Sequence, residues 1–183
     1  MGVEGGFQVM DIASKSIGTA GGRVVTFREV VAEDTPLLLE VYGSTRLDEL
    51  ALTNWDEQQR HAFLKMQLDA QHLHYRGHYP VAQYLVILVD GGAAGRLYLA
   101  ETAEEIRILD ITVLPEYRGS GIGTAIIKEL MPIAAATGKP LGIYVESFSR
   151  SLGLFERLGF VRSGEIGYSF LLRWAAGTVS QTA

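Results

Sequence analysis

The sequence predicts an α/β protein of the α+β type, with a mixed β-sheet and helices on its faces. Three observations support this. Alternating and periodic apolar segments follow one another in the order β-α-α-β-β-β-α-β-α-β-β. The chain has 183 residues, the length of a single domain. A glycine-rich stretch at residues 118–123 lies between an apolar run and a helical pattern, as at a strand-to-helix connection.

The first half of the chain predicts a strand and two helices. Residues 23–30 alternate in polarity and indicate the strand. Thr35-Pro36 is typical of a helix start, because proline fits the first helical position. A second helix is expected from Asn54 to about Tyr75. We interpret its apolar face as core; that face consists of Trp55, Phe63, Met66, Ala70 and Leu73.

The second half predicts the larger part of the sheet. Asp90-Gly91-Gly92 separates two β-rich runs and predicts a hairpin. A helix is expected from Gly121 to Thr137, with a kink or break at Pro132, whose ring blocks the bond to the carbonyl of Lys128. The remaining elements are strands at 105–114 and 141–147, a short helix at 150–158 and a hairpin at 160–174.

We divide the chain into three parts. Residues 1–21 are rich in Gly, Ser and Ala without periodicity, and we expect a mobile or extended N-terminal tail there. Residues 22–176 form the single domain, and residues 177–183 form a C-terminal tail.

Composition narrows the classes of function. The net charge of −5 argues against non-specific nucleic-acid binding, which needs a basic footprint. The chain has no cysteine, so disulfides, thiolate nucleophiles and sulfur ligands for metals are excluded. The N-terminus lacks the pattern of a signal peptide, and the longest apolar run, YLVILV, is too short to span a membrane. We therefore expect a cytoplasmic protein that does not bind membranes.

The glycine-rich stretch suits a pyrophosphate. Glycines let a phosphate approach the unpaired N–H groups at a helix N-terminus, and Arg118 can add a charge-assisted contact. The dinucleotide pattern G-x-G-x-x-G fails, because Thr124 and Ile126 stand where its last glycine would be. The ATP-type loop fails as well, since no Gly-Lys-Ser/Thr is present. The pattern that remains is R-x-x-G-x-G.

With its flanks, ITVLPEYRGSGIGTAII, this stretch resembles the coenzyme A-binding motif of the GNAT N-acetyltransferase superfamily. Downstream, LFERLGF is similar to the LYxxLGF segment of that family. The resemblance implies the GNAT fold, a mostly antiparallel sheet with a splay between the fourth and fifth strands. It also implies transfer of an acetyl group from acetyl-CoA to a primary amine of a small molecule or peptide, through a tetrahedral intermediate. It is compatible with a homodimer.

The resemblance assigns site residues by position in the motif. The backbone N–H of Val113 would stabilise the oxyanion. The residues expected to contact coenzyme A are Ile111, Val113, Arg118, Gly119, Ser120, Gly121, Ile122, Gly123, Thr124 and Phe155.

The general base is open to several candidates. Glu105 is the first, because some family members carry a glutamate base at this strand position. Glu146 ends the next strand at the mouth of the splay, and Asp110 is expected on the other face from Glu105. Phe155 stands where many members have a tyrosine acid. Either the acid is dispensable, since a thiol of pKa about 8.5 is a fair leaving group, or Ser149, Ser151 or Tyr144 donates the proton through water. A non-catalytic acyl-CoA-binding module is the alternative.

The acceptor side is the least specified. In the family, the segment between the early helices and the last hairpin cover this site, which makes Arg46, Asp48, Glu49 and Tyr168 candidates for substrate contacts. His74 and His78 are four residues apart, but Gly77 and the lack of an H-E-x-x-H motif argue against a metal site. We expect no metal cofactor.

Overall fold

The computed structural model describes residues 12–177 and folds them around one eight-stranded sheet. The strands are β1 (Ile17–Gly18), β2 (Val24–Glu29), β3 (Gln83–Val89), β4 (Gly92–Glu101), β5 (Ile106–Val113), β6 (Leu141–Glu146), β7 (Val161–Ile166) and β8 (Ser169–Trp174). The α-helices are α1 (Thr35–Gly43), α2 (Leu47–Ala51), α3 (Glu57–His78), α4 (Ile122–Thr137) and α5 (Leu152–Arg157).

The sheet is mostly antiparallel, as expected. Its order is β1-β2-β3-β4-β5-β6-β8-β7, and β5–β6 is its parallel pair. That pairing covers only Ile106–Ile108 against Leu141–Ile143. Beyond it, β5 stays on β4 as far as Val113, while β6 stays on β8 as far as Glu146. The two strands therefore diverge, and the predicted splay lies between them. They are the fifth and sixth strands because the short β1 was not foreseen.

Helices cover both faces of the sheet. Neighbouring residues of β4 show this, because successive side chains of a strand point to opposite faces. Leu97 and Leu99 belong to a core with residues of α4 and α5, such as Ile126 and Phe155. Tyr98, between the two leucines, belongs to a second core, which contains Leu38 and Tyr42 of α1 and Leu68 of α3. We call these sides the α4 face and the α3 face.

The predicted apolar face of α3 is wrong. Met66 and Leu73 are 57% and 76% exposed, whereas Leu64, Leu68 and Tyr75 pack on the sheet. Both rows have helical spacing, so periodicity alone could not choose between them. The buried row also supplies polar partners that the sheet needs: Tyr75 Oη donates to the carbonyl of Leu109 at 2.9 Å. The helix begins after Asp56, whose carboxylate accepts from the N–H of Gln59 in a capping box.

Helix α4 runs without a break through Pro132. The expectation of a break is therefore wrong. Proline removes one bond to the carbonyl of Lys128, and Lys128 is exposed, so that carbonyl can reach water. Ile127 and Leu130, both fully buried, hold this part of the helix against the sheet.

Part of the predicted N-terminal tail is an extension of the sheet. Ile12 and Ile17 are buried in the α4-face core, and β1 pairs with β2. Lys15 Nζ also lies 2.7 Å from Glu129 Oε1 of α4. Ile12 and Ile17 are isolated apolar residues in a segment rich in Gly, Ser and Ala, so the composition of the segment did not indicate that they are buried. Residues 1–11 and 178–183 lie outside the described residues, and the domain boundaries at 21 and 177 remain predictions.

Replacement of Gly95 by alanine should destabilise the sheet. An added Cβ would overlap the carbonyl oxygen of Thr112 and lie 2.9 Å from Val113 Cα, both in the paired backbone of β5. We expect a loss of roughly 3 kcal/mol in the free energy of unfolding, measured with urea. Gly77→Ala is the control: its Cβ would meet nothing within 4 Å in helix α3, and we expect a gain of up to about 1 kcal/mol. Equal midpoints for Gly95→Ala and wild type would contradict the close approach of β4 and β5.

Candidate active site

Two backbone N–H groups of β5 point into the splay. The N–H of Leu114 donates to Ala94 at 2.8 Å, towards β4. Along a strand with antiparallel pairing, successive N–H groups point to opposite edges. The N–H groups of Ile111 and Val113 therefore point away from β4, to the edge that β6 has left after Ile143. The splay thus offers two donors to a carbonyl oxygen that enters it.

A β-bulge at Leu109 marks the start of the splay. Tyr98 pairs with Asp110 and Leu99 with Ile108, so Leu109 is an extra residue in β5. The extra residue resets the alternation of side chains. As a result Asp110 lies on the α3 face, the same face as Arg107 beside Glu105. The expectation that Asp110 and Glu105 lie on opposite faces is wrong, because simple parity takes no account of a bulge.

The glycine loop leads from β5 to the N-terminus of α4. Gly119 and Gly121 have φ angles of 72° and 81°, in the left-handed region that favours glycine. A Cβ at either position would meet nothing within 4 Å, so the space in front of the loop is open. The first helical bond runs from the N–H of Ala125 to Gly121, which leaves the preceding N–H groups without helical acceptors. Together with the helix dipole, these groups suit an anion.

The side chain of Arg118 is placed differently from the expected phosphate contact. Its Nε donates to the carbonyl of Val113 at 3.0 Å. Its Nη2 donates to Ser44 Oγ at 2.7 Å and approaches the carbonyl of Ser44 at 3.3 Å. Arg118 thus connects β5 to the end of α1.

Two residues expected to contact coenzyme A have their side chains in the core. Phe155 is 2% exposed, and its ring meets that of Phe160 edge to face, with centroids 5.2 Å apart. Ile122 is 1% exposed. Ile122 can offer only its backbone N–H, and the ring of Phe155 does not line an open site. Ser120 is held within the loop, where its hydroxyl bonds to the carbonyl of Tyr117.

The structure does not bring Glu105 together with Val113. Glu105 precedes Ile106, whose pairing with Leu141 closes the splay at that end. At about 3.3 Å per residue, roughly 20 Å or more separates it from Val113. Its carboxylate is 6% exposed and pairs with Arg107 and with Arg173 Nε, the latter at 2.8 Å. Sequence parity could not reveal these two arginine partners.

Glu146 lies at the open end of β6 and joins the acceptor-side candidates. Arg46 Nη1 lies 2.9 Å from Glu49 Oε1 and 3.9 Å from Glu146 Oε1. The carbonyl of Tyr168 accepts from the N–H of Ser147 at 2.8 Å, which holds the β7–β8 turn beside the end of β6. The tyrosine side chain itself is 82% exposed.

The other predicted polar residues lie at the edges of this region. Asp48 is exposed on α2. Ser149 Oγ and Ser151 Oγ are 2.8 Å apart, before helix α5. Tyr144 is 39% exposed and covers the guanidinium of Arg107 at 4.6 Å. Thr124 lies in the first turn of α4.

Sequence reasoning missed a buried ion pair beside the splay. Arg96 is 1% exposed, and its Nη2 donates to Asp110 Oδ2 at 2.6 Å and to Gln71 Oε1 at 2.9 Å. Asp110 Oδ1 accepts from Thr112 Oγ1 at 2.7 Å. The signal was an arginine within an otherwise apolar strand, since a buried charge requires a partner. The pair fixes Asp110 next to the start of the splay.

Aromatic rings enclose this pair. The Arg96 guanidinium lies 5.1 Å from the Tyr98 ring and 5.6 Å from the Tyr42 ring. Burial raises the pKa of Tyr98 to about 12, so its hydroxyl stays protonated at neutral pH. The guanidinium of Arg46 also lies 5.4 Å from the Tyr42 ring, which links the buried pair to the candidate residues of the acceptor side.

The exposed histidines form a contact of their own. The rings of His74 and His78 are 4.1 Å apart at the end of α3, and His78 Nδ1 lies 2.9 Å from the carbonyl of His74. Within residues 12–177 no group of three or more histidine or acidic side chains is arranged to hold a metal ion. In the same part of the chain, no helix combines the length and apolarity needed to cross a membrane.

Solved structures share this fold. The PaiA N-acetyltransferase of Thermoplasma acidophilum, in complex with coenzyme A, superposes with a TM-score of 0.61 at 18% identity over 81% of this chain and 97% of that one. RimJ of Mycobacterium smegmatis, in complex with CoA-disulfide, has a TM-score of 0.61 at 19% identity over 92% of this chain and 89% of that one. At such low identity these similarities establish the fold.

The sequence matches a family model over part of its length. Residues 80–162 match the family model of the acetyltransferase (GNAT) domain. This part of the chain contains the glycine loop and matches the GNAT acetyltransferase domain, so the resemblance seen in its motif is confirmed. Among curated proteins, the glucosamine 6-phosphate N-acetyltransferase of Trypanosoma brucei brucei is 40% identical over 53 residues, or 29% of this chain. The match spans only 35% of that relative's length.

Acidification should destabilise the fold through His72. Its Nε2 lies 3.1 Å from Tyr98 Oη. Burial and the charges of Arg96 and Arg76 lower its pKa, against the opposing effects of Asp69 and Asp110. Because the folded pKa lies below the unfolded value of about 6.5, stability present above that pH is lost as the pH falls.

The measurement is the urea midpoint at pH 7 and at pH 5. We expect the wild type to lose more stability over this range than His72→Gln. His61→Gln is the control, since His61 is exposed on the same helix and should leave the loss unchanged. A loss in His72→Gln equal to that in His61→Gln would contradict the assignment.

Proposed function

We propose that this protein transfers an acetyl group from acetyl-CoA to a primary amine of a small molecule or peptide. The reaction would proceed by direct attack through a tetrahedral intermediate. One observation carries the proposal: β5 borders the splay with the N–H groups of Ile111 and Val113, and the same strand leads into the anion-binding loop of α4. In acetyl-CoA a flexible arm links the thioester to the pyrophosphate. The two groups could therefore bind the splay and the glycine loop at the same time.

The backbone would hold acetyl-CoA at two points. The N–H groups of residues 119–124 suit the pyrophosphate, since Gly119 and Gly121 leave the loop open in front. The N–H of Val113 would donate to the thioester carbonyl, where negative charge develops as the amine attacks. Removal of one such donor elsewhere costs about 3–4 kcal/mol of transition-state stabilisation.

Glu146 is the base we propose. The attacking amine must be neutral, and amines with a pKa of about 8–10 are mostly protonated at pH 7. Glu146 lies at the open end of β6 with a side chain that is 44% exposed, so it can take a proton directly or through water. Glu105 is not part of the proposal, because its carboxylate is committed to Arg107 and Arg173 at the closed end.

The leaving thiolate needs little help. A thiol of pKa about 8.5 leaves readily. Where a proton is needed, we propose that it comes from one of the paired hydroxyls of Ser149 and Ser151, which precede α5. Phe155 has no proton to give and is buried. This observation favours the second candidate function, a non-catalytic acyl-CoA-binding module, which would bind the donor without turnover.

The acceptor side combines both signs of charge. Arg46 suits a carboxylate or phosphate of the acceptor, whereas Glu49 and Glu146 suit its ammonium group. The 53-residue similarity to a glucosamine 6-phosphate N-acetyltransferase is compatible with an amine of that type. The acceptor that we propose is a primary amine.

Calorimetric titration should show binding of acetyl-CoA in preference to NADH and ATP. Gly121→Glu should abolish binding of acetyl-CoA, because the new carboxylate would occupy the anion site and repel the pyrophosphate. Gly138→Glu is the matched control: Gly138 has a φ angle of 69° at the other end of α4, so it adds similar backbone strain away from the loop. Failure of the wild type to bind acetyl-CoA at millimolar concentration would refute the proposal.

The role of Glu146 can be separated from that of Glu105 by kinetics. Once an acceptor amine is found by thiol release, Glu146→Gln should lower kcat by roughly 10²-fold. Glu105→Gln should lower the melting temperature but leave kcat within a fewfold of wild type. A loss of kcat by roughly 10²-fold in Glu105→Gln, with none in Glu146→Gln, would instead identify Glu105 as the base.

A further inference from the structure

The guanidinium of Arg118 connects three parts of the site. The backbone at 118–121 belongs to the anion-binding loop, and Nε donates to the carbonyl of Val113 at 3.0 Å. Nη2 donates to Ser44 Oγ at 2.7 Å. Ser44 in turn begins the segment that carries Arg46 to Glu146. One side chain therefore touches the loop, the strand with the oxyanion donor and the acceptor-side segment.

Ser44 is well suited to receive this contact. It caps the C-terminus of α1, with its N–H bonded to the carbonyl of Glu40 at 2.9 Å. Its hydroxyl donates to the carbonyl of Val41 at 2.7 Å, which turns the oxygen lone pairs towards Arg118. The C-terminal end of a helix also favours a cation. The contact thus gives the Ser44 hydroxyl oxygen a donor and places a positive charge at the C-terminal end of α1.

The guanidinium can keep this contact while it binds an anion. Nε and Nη2 form one edge of the planar group, and both bonds to Val113 and Ser44 use that edge. Nη1 faces away from this edge and makes no hydrogen bond to any of the described residues 12–177. A phosphate oxygen can therefore bind Arg118 without displacing Ser44.

We propose that Ser44 is a positioning residue that couples the coenzyme A loop to the acceptor-side segment, residues 44–51. This inference rests on the proposed function, because it requires coenzyme A in the loop. When coenzyme A occupies the loop, its phosphate fixes the side chain of Arg118. Arg118 then holds Ser44, and Ser44 restricts the motion of the acceptor-side segment. Occupancy by coenzyme A then favours binding of the amine.

The test uses coenzyme A alone as the probe. Amide hydrogen exchange of residues 44–51 is measured with and without saturating coenzyme A, whose binding is followed by calorimetry. In the wild type, coenzyme A should slow this exchange by roughly three- to tenfold, the effect of one hydrogen bond. Ser44→Ala should lose most of the slowing while it still binds coenzyme A.

Two variants serve as controls. Thr45→Ala removes the neighbouring hydroxyl, which donates to the carbonyl of Tyr42 at 2.7 Å and does not touch Arg118. It should keep the slowing. Ser44→Thr retains the hydroxyl and should restore the slowing that Ser44→Ala loses, which excludes a general weakening of α1.

The outcomes separate the coupling from the function. Equal slowing in Ser44→Ala and Thr45→Ala, or faster exchange on addition of coenzyme A, would overturn the coupling and leave the proposed function intact. No binding of coenzyme A by the wild type would overturn both. Once an acceptor is known, Ser44→Ala should raise its KM at saturating acetyl-CoA more than it lowers kcat.

Discussion

The site depends on the loss of pairing between β5 and β6. Three residue pairs, from Ile106–Leu141 to Ile108–Ile143, hold the parallel strands together before they diverge. The bulge at Leu109 lies at that point, and Tyr75 of α3 binds the carbonyl of the extra residue. Backbone groups that a regular ladder would use then face an opening. An opening of this kind is costly unless a ligand or water satisfies those groups, which is why we place the reactive carbonyl there.

Polar contacts on the α3 face reconnect the diverging strands. Asp110 of β5 is held by Arg96, and Glu146 of β6 is near Arg46. The ring of Tyr42 lies within 6 Å of both guanidinium groups. The buried pair is expensive to desolvate, so its role is to fix positions more than to add stability. The acceptor side that we propose is thereby built from α1 and its following segment as well as from the sheet.

Local signals in the sequence were sufficient for the sheet class and the glycine loop, whereas the splay was expected only from the resemblance of the motif to the GNAT family. Turn glycines and the run before Arg118 are such signals. The sequence was not sufficient for positions that depend on tertiary pairing. The buried row of α3, the partners of Glu105 and the face of Asp110 follow from register and from the bulge at Leu109. The core position of Phe155 depends on its packing against Phe160. Periodicity does not encode these contacts.

The most direct test of the account is the amide NMR spectrum of the protein with coenzyme A and with acetyl-CoA. The two ligands share the pyrophosphate and differ in the acetyl group. We expect both ligands to shift the amide signals of residues 119–124. We expect acetyl-CoA alone to shift the signal of Val113 further, because the N–H of Val113 would meet the thioester carbonyl. Identical spectra with the two ligands at Val113 and Ile111 would contradict the assignment of the splay as the acetyl site.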